Sequence, residues 1–265
     1  MEMTDASARG IPQSHSHPPS TEGQDMTRPT TLLAGVGLAA LVTAALAGCA
    51  TGAGGTPTSS SSPSGAGTEI EVDAAWLDGG RVIGLVTQGS STCVPTAGEA
   101  VLNGSVLEVT LVEPPEDTAC TRDLVPRVTL VGVPEGVDPA QDLEIEVTGD
   151  GYYGDTDLDG VPGLAGGGET DYLPSAGWTD VDGQFVILTW GSSSCPPALE
   201  DVAATAPSEV TVTFADPPAD QVCTADMAPR GTVAWVDGLQ GDDDVYAILQ
   251  GAEFDNIRIP IYGSD

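Results

Sequence analysis

The sequence predicts an all-β protein built from tandem copies of one antiparallel sandwich-like or barrel-like module, each copy holding one disulfide of its own. Three observations carry this prediction. A cysteine motif occurs twice: Gly89-Ser90-Ser91-Thr92-Cys93-Val94-Pro95 leads to Pro114-Pro115, Cys120 and Pro126-Arg127, and Gly191-Ser192-Ser193-Ser194-Cys195-Pro196-Pro197 leads to Pro217-Pro218, Cys223 and Pro229-Arg230. A shift of 102 residues lays Trp76 on Trp178 and Thr87 on Thr189, and one inserted residue then aligns the Pro-Pro pairs, the second cysteines and the Pro-Arg pairs. Short apolar runs divided by Gly, Pro and Asp recur along the chain with almost no helical periodicity.

Taken in order, the 265-residue chain opens with residues 1–25, a polar, Pro- and Ser-rich stretch unlike anything that normally precedes an export signal. Translation is therefore expected to start at Met26. Residues 26–48 read as that signal: Thr27-Arg28-Pro29 supplies the charge, 32–47 is apolar, and Leu46-Ala47-Gly48-Cys49 closes it with small residues. The apolar run is short for a membrane span. The last four residues match the lipobox, so over residues 26–49 the chain resembles bacterial lipoproteins. With no lysine and abundant Ala, Gly and Pro, it is similar to the secreted lipoproteins of high-GC Gram-positive bacteria. The resemblance implies cleavage by signal peptidase II just before Cys49, a palmitate-type diacyl anchor on its sulfur, and residence on the extracytoplasmic face of the cell membrane with the bilayer as partner. Residues 49–68 are then the lipidated cysteine and a Gly/Ser/Pro/Thr tether, too poor in apolar side chains to fold, with a mean reach of roughly 24 Å.

Residues 69–150 form the first β repeat, with strands expected at 69–74, 82–87, 106–112, 128–133 and 143–147. Residues 151–175 read as an acidic, Gly-rich linker. The second repeat, 176–265, has strands expected at 184–190, 209–214, 231–236, 245–249 and 257–262, and one helical turn at 198–204. The pattern is compatible with two separate beads and with one pseudo-symmetric body. The four repeat cysteines allow three pairings, and a duplicated unit carries its bond with it, which selects Cys93 with Cys120 and Cys195 with Cys223. Their spacing is neither a redox Cys-x-x-Cys nor a zinc pattern.

Charge and composition narrow the chemistry. The formal net charge is −33, so a basic surface for nucleic acid or anionic lipid headgroups is excluded. Both histidines, His15 and His17, precede Cys49. A chain cut there has neither imidazole nor side-chain amine, which removes Ser-His-Asp, Cys-His and Ser-Lys mechanisms. No catalytic residue is nominated, and no cofactor is expected beyond calcium.

Four groups of residues are candidates for something more than packing. Asp155-Thr156-Asp157-Leu158-Asp159-Gly160 has the alternating carboxylates and glycine of a calcium loop, although no Glu follows at the twelfth position and no helices flank it; the plainer reading is a solvated acidic linker. Asp242-Asp243-Asp244 reads as a charged tip. Arg127 and Arg230, at equivalent positions, are expected to brace the disulfide loops through Asp123 and Asp226 or through backbone carbonyls. Trp76 and Trp178 are expected in the core, whereas Trp190 and Trp235 align with Gln88 and Gly132 and are the residues to test for a binding surface confined to the second copy.

The function expected from sequence is a membrane-anchored, surface-exposed lipoprotein, non-catalytic, acting as a binding or envelope-structural module with an envelope polymer or a protein as partner. The alternatives are a carbohydrate-active enzyme using paired carboxylates and a solute-binding component of a transporter.

Overall fold

Apolar runs of two kinds decide the architecture. Glu209–Phe214 and Leu143–Gly149 alternate apolar and polar residues, as strands with one wet face do, whereas the runs Val82-Ile83-Gly84-Leu85-Val86 and Phe185-Val186-Ile187-Leu188 are apolar on both faces and demand cover on each. A computed structural model describes residues 67–239 and 244–264, and its strands satisfy both demands. The expected export signal, Cys49, most of the expected tether, Asp242 and Asp243 lie outside the described residues.

The first copy contributes β1 (Thr68–Glu69), β2 (Asp73–Leu77), β3 (Val82–Gly89), β4 (Thr96–Asn103), β5 (Val106–Val112), β6 (Val125–Gly132), β7 (Leu143–Gly149) and β8 (Tyr152–Leu158). The second contributes β9 (Ser175–Trp178), β10 (Gln184–Gly191), β11 (Leu199–Ala206), β12 (Glu209–Phe214), β13 (Ala228–Trp235), β14 (Tyr246–Gly251) and β15 (Phe254–Tyr262). From β2 and β9 onward the copies match strand for strand. Each has a three-stranded sheet, β2-β3-β6 or β9-β10-β13, facing a larger one that contains β4-β5-β7-β8 or β11-β12-β14-β15. Registers repeat as well: Gly84 pairs with Leu130 and Val86 with Val128, while Val186 pairs with Val233 and Leu188 with Gly231. In the second copy a short parallel contact, Ile261 to Ala176 and Tyr262 to Gly177, joins the two sheets into one.

The all-β class and the one disulfide per copy are borne out, with Cys93 bonded to Cys120 and Cys195 to Cys223 across Cα separations of 5.5 and 5.6 Å. Neighbouring strands are mostly antiparallel, but β5 with β7 and β12 with β14 run parallel, because the chain crosses to the small sheet and back between them. Residues 69–74 are not one strand. The chain leaves β1, which pairs with β8, and joins the other sheet as β2 beside β3. The helical turn expected at 198–204 is strand β11, hairpinned to β12, so pairing overrides the helix propensity of its alanines. The stretch read as a linker from 151 begins with β8, and only residues 159–174 connect the copies.

Three apolar clusters result. One lies inside the first sandwich around Trp76, Ile83, Leu85, Leu107 and Ile145, and a second inside the other around Phe185, Ile187, Val212, Phe214 and Leu249. The third lies between the copies: Ala75, Leu77 and Val86 meet Val186 and Leu188, with Val128, Leu130, Trp190 and Val233 around them. The copies are therefore one body joined through the outer faces of their small sheets, and both belong to a single compact unit. At about 1.5–3 kcal/mol for each fully buried Val or Leu, the four at this seam contribute on the order of 6–12 kcal/mol, comparable to the net stability of a whole domain. A polar link also crosses between the copies, the Asp78 amide donating to Ser175 Oγ at 2.8 Å, and Trp76 Nε1 ties the start of the connector by donating to the Asp159 carbonyl at 2.9 Å.

Each disulfide closes a loop of fewer than thirty residues, for which chain entropy gives about 3.5 kcal/mol. The double variant Cys195→Ser/Cys223→Ser is expected to melt about 10 °C lower than the parent in a calorimetric scan, and an unchanged melting temperature would show that the bond adds nothing to the brace around it.

Candidate functional site

The seam ends in a cleft of about 480 Å³. Its walls come from both copies: Glu69, Glu71 and Asp73 from the segment that changes sheets, Asp155 from β8, and Gln184 and Trp235 from β10 and β13. Thr87 and Gln88, at the end of β3, complete it. Trp235 is 44% exposed, while Gln184 is buried at 1% with its Oε1 accepting from Thr179 Oγ1 at 2.9 Å. An open indole face beside a fixed amide, ringed by carboxylates, is the composition of a recognition surface rather than of a core.

The carboxylates crowd one another. Asp73 is pushed above the ordinary carboxylate range, first by burial and then by the charges of Asp180 and Glu71. Asp180 is raised as well, by burial and then by Asp159 and Asp157. Among the described residues no arginine lines the cleft: Arg81, Arg127, Arg230 and Arg258 are paired with Asp78, Glu113, Glu253 and Glu209, and Arg122 lies outside its walls. The site can therefore gain free energy from a positive ligand, with the Trp235 face available to it.

Of the two unmatched tryptophans, Trp235 lines this cleft. Trp190 packs against the third cluster and meets Tyr172 edge to face at 5.1 Å, so it serves the seam. The two belong to different strands, and Trp190 does not line this cleft.

The calcium loop expected at Asp155, Asp157 and Asp159 takes a different shape. Asp155 and Asp157 lie on extended β8, exposed on its outer face, and an extended strand does not wrap its alternate side chains around an ion. Asp155 turns to the cleft, whereas Asp157 and Asp159 line a shallow hollow of about 400 Å³ with Asp142 and Glu144. Among the described residues no three His, Cys, Asp or Glu side chains are grouped to hold a metal ion.

The disulfide loops carry a brace built twice. Arg127 donates through Nη1 to the Cys93 carbonyl, through Nε to Thr87 Oγ1 at 3.4 Å and through Nη2 to Glu113 at 3.2 Å. Arg230 donates to the Cys195 carbonyl at 3.3 Å, to the Trp190 carbonyl at 2.9 Å and to Glu253. The backbone contact expected from sequence is present, but the carboxylate partners are Glu113 and Glu253 rather than Asp123 and Asp226. Gly89 and Gly191 lie under the guanidinium groups, and a Cβ on Gly191 would stand 2.7 Å from Arg230 Nη1.

Asp123 and Asp226 instead tie the serine-rich turns. Asp123 accepts from the Ser91 amide at 3.3 Å and from Thr121 Oγ1; Asp226 accepts from the Ser193 amide at 3.1 Å and from Thr224 Oγ1. Bonds from Ser91 and Thr121 hold the Asp123 carboxyl at about 2, and those from Thr224 and Ser193 do the same for Asp226.

Sequence reasoning missed Glu69, Glu71, Asp73, Gln88 and Gln184 as members of one site. The only signal was the alternation Glu69-Ile70-Glu71-Val72-Asp73, which a strand's wet face explains as well. Comparison with protein-family models, with curated proteins and with solved structures finds no match.

Opposite pKa shifts set the pH response. Asp123 and Asp226, depressed to about 2 from about 3.9 when unfolded, contribute stability above pH 4 that disappears as pH falls toward 2. Asp73 and Asp180, raised by folding, cost stability at neutral pH, and protonation relieves that cost on mild acidification. Urea midpoints are expected to peak in mild acid, to lose the steep limb below pH 4 in Asp123→Asn/Asp226→Asn, and to rise at pH 7 in Asp73→Asn. A midpoint independent of pH from 2 to 7 would contradict all three.

Proposed function

We propose that the chain is a lipid-anchored, non-catalytic binding protein of the extracytoplasmic face, which holds its duplicated β body out on a flexible tether and takes up a small amine-bearing cation in the seam cleft. The observation that carries the binding half is the cleft itself: carboxylates of the first copy converge on an exposed indole of the second, and the ion-paired arginines are all engaged elsewhere. A cation there would offset the burial and the repulsion that together raise Asp73, and would lie against a ring able to add about 0.5–2 kcal/mol of cation–π attraction. The lipobox at Cys49 and the tether behind it support the anchored half. The only helix among the described residues is the 3₁₀ turn Asp78–Gly80, so the transporter reading, which asks for two α/β lobes around a hinge, finds no support and is not carried forward.

Tryptophan fluorescence with spermidine and choline as probes tests the binding half. Saturable quenching is expected, weakened about 2- to 30-fold by Trp235→Ala and lowered also by Asp73→Asn, but unchanged by Asp220→Asn on the exposed loop before Cys223. Quenching that survives both cleft variants would place the ligand elsewhere. Separately, Cys49→Ser is expected to move the protein from the detergent-soluble membrane fraction to the culture medium; wild-type protein found unacylated in the medium would refute the anchor.

A further inference from the structure

Equivalent positions of the two copies meet each other at the seam. A Cβ on Gly84 would stand 3.0 Å from Cγ1 of Val186, the residue at the same register position in the second copy, and 3.1 and 3.2 Å from Leu77 and Val128 of its own copy. A Cβ on Gly231 would stand 2.7 Å from Cγ1 of Val128, its own counterpart. At both places one copy carries Val and the other Gly, and the sense is reversed between them: the first copy has Gly84 and Val128, the second Val186 and Gly231. Neither glycine has the positive φ that would favour it for backbone reasons. Glycine inside a strand weakens the strand, so its presence here answers to the close approach of a facing side chain.

We infer that these two reciprocal Gly/Val pairs are the specificity determinants of the seam, making the first copy complementary to the second and not to itself. Two first copies set face to face would bring Val128 against Val128 and leave a void between Gly84 and Gly84. Two second copies would clash at Val186 and gape at Gly231. The apolar faces are shaped for the opposite copy alone, so each chain closes its own seam instead of offering it to the like copy of a neighbour. This inference is independent of what the cleft binds.

Two exchange cycles on the full chain test it. Gly84→Val overfills the first contact and Val186→Gly empties it, and each is expected to lower the melting temperature by about 4–10 °C. Gly84→Val/Val186→Gly moves the side chain across the seam and is expected to lose markedly less than the sum of the single losses, with the protein still eluting as a monomer. Val128→Gly and Gly231→Val form the second cycle, with the same expectation. Should Gly84→Val fail to fold, recovery of folded protein in the double exchange carries the same information, and Val186→Gly, which only removes atoms, still reports the void. Giving the second copy the first copy's residues, Val186→Gly/Gly231→Val, is expected to be worse than either change alone. Additive losses in both cycles, a silent Gly84→Val, or a double exchange no better than its worse component would overturn the inference.

Discussion

The structure depends on the burial of two sheet faces that a single copy would leave in water. β3 and β10 are apolar on both sides, and each sandwich interior covers only one side. The opposite faces, carrying Val86 in one copy and Val186 and Leu188 in the other, are covered only by each other. A lone copy would expose a contiguous apolar sheet, the kind of surface that monomeric proteins rarely tolerate. Duplication within one chain supplies the cover at a fixed stoichiometry and without a second binding event. At Gly177 the approach is so close that a side chain would run into the Trp76 carbonyl.

Joining equivalent faces also places the candidate site. The cleft exists because the N-terminal segment of the first copy passes the end of the second copy's small sheet, bringing Glu71 and Asp73 near Gln184 and Trp235. Neither copy could make it alone. Divergence between the copies is visible here: Gln88 borders the cleft, whereas its counterpart Trp190 is packed into the seam. Where the copies retain a shared device, they have kept its geometry and changed its parts. The first cysteine of each disulfide lends its carbonyl to an arginine lying over a glycine, but the neutralising carboxylate is Glu113 after β5 in one copy and Glu253 in the β14–β15 turn in the other.

Local signals were read well where one physical cause dominated. Strands β5 and β12 have their predicted limits, since alternation with one wet face has few competing explanations. Signals with two causes left the local structure open. Alternating aspartates at 155–159 fit both a calcium loop and the exposed face of a strand, and hydrogen bonding to β7 decided for the strand. The alanines of 198–204 favour a helix locally, yet the ladder with β12 makes β11. Asp123 and Asp226 stood close enough in sequence to claim the arginines, but hydrogen bonds from Thr121 and Thr224 hold them at the turns.

By itself the sequence determined what depends on composition, spacing and self-comparison: a β-rich duplicated chain, the pairing of its four repeat cysteines, the expectation of a lipid anchor at Cys49, and the absence of histidine and lysine after that point. Only the tertiary structure decided that the copies share a core, that glycine faces valine across it, and that carboxylates distant in sequence converge on Trp235. The reason is physical. A repeated motif reports the interactions each copy makes within itself, whereas the contact between copies joins surfaces whose partners lie about a hundred residues away, and no local periodicity records which face meets which.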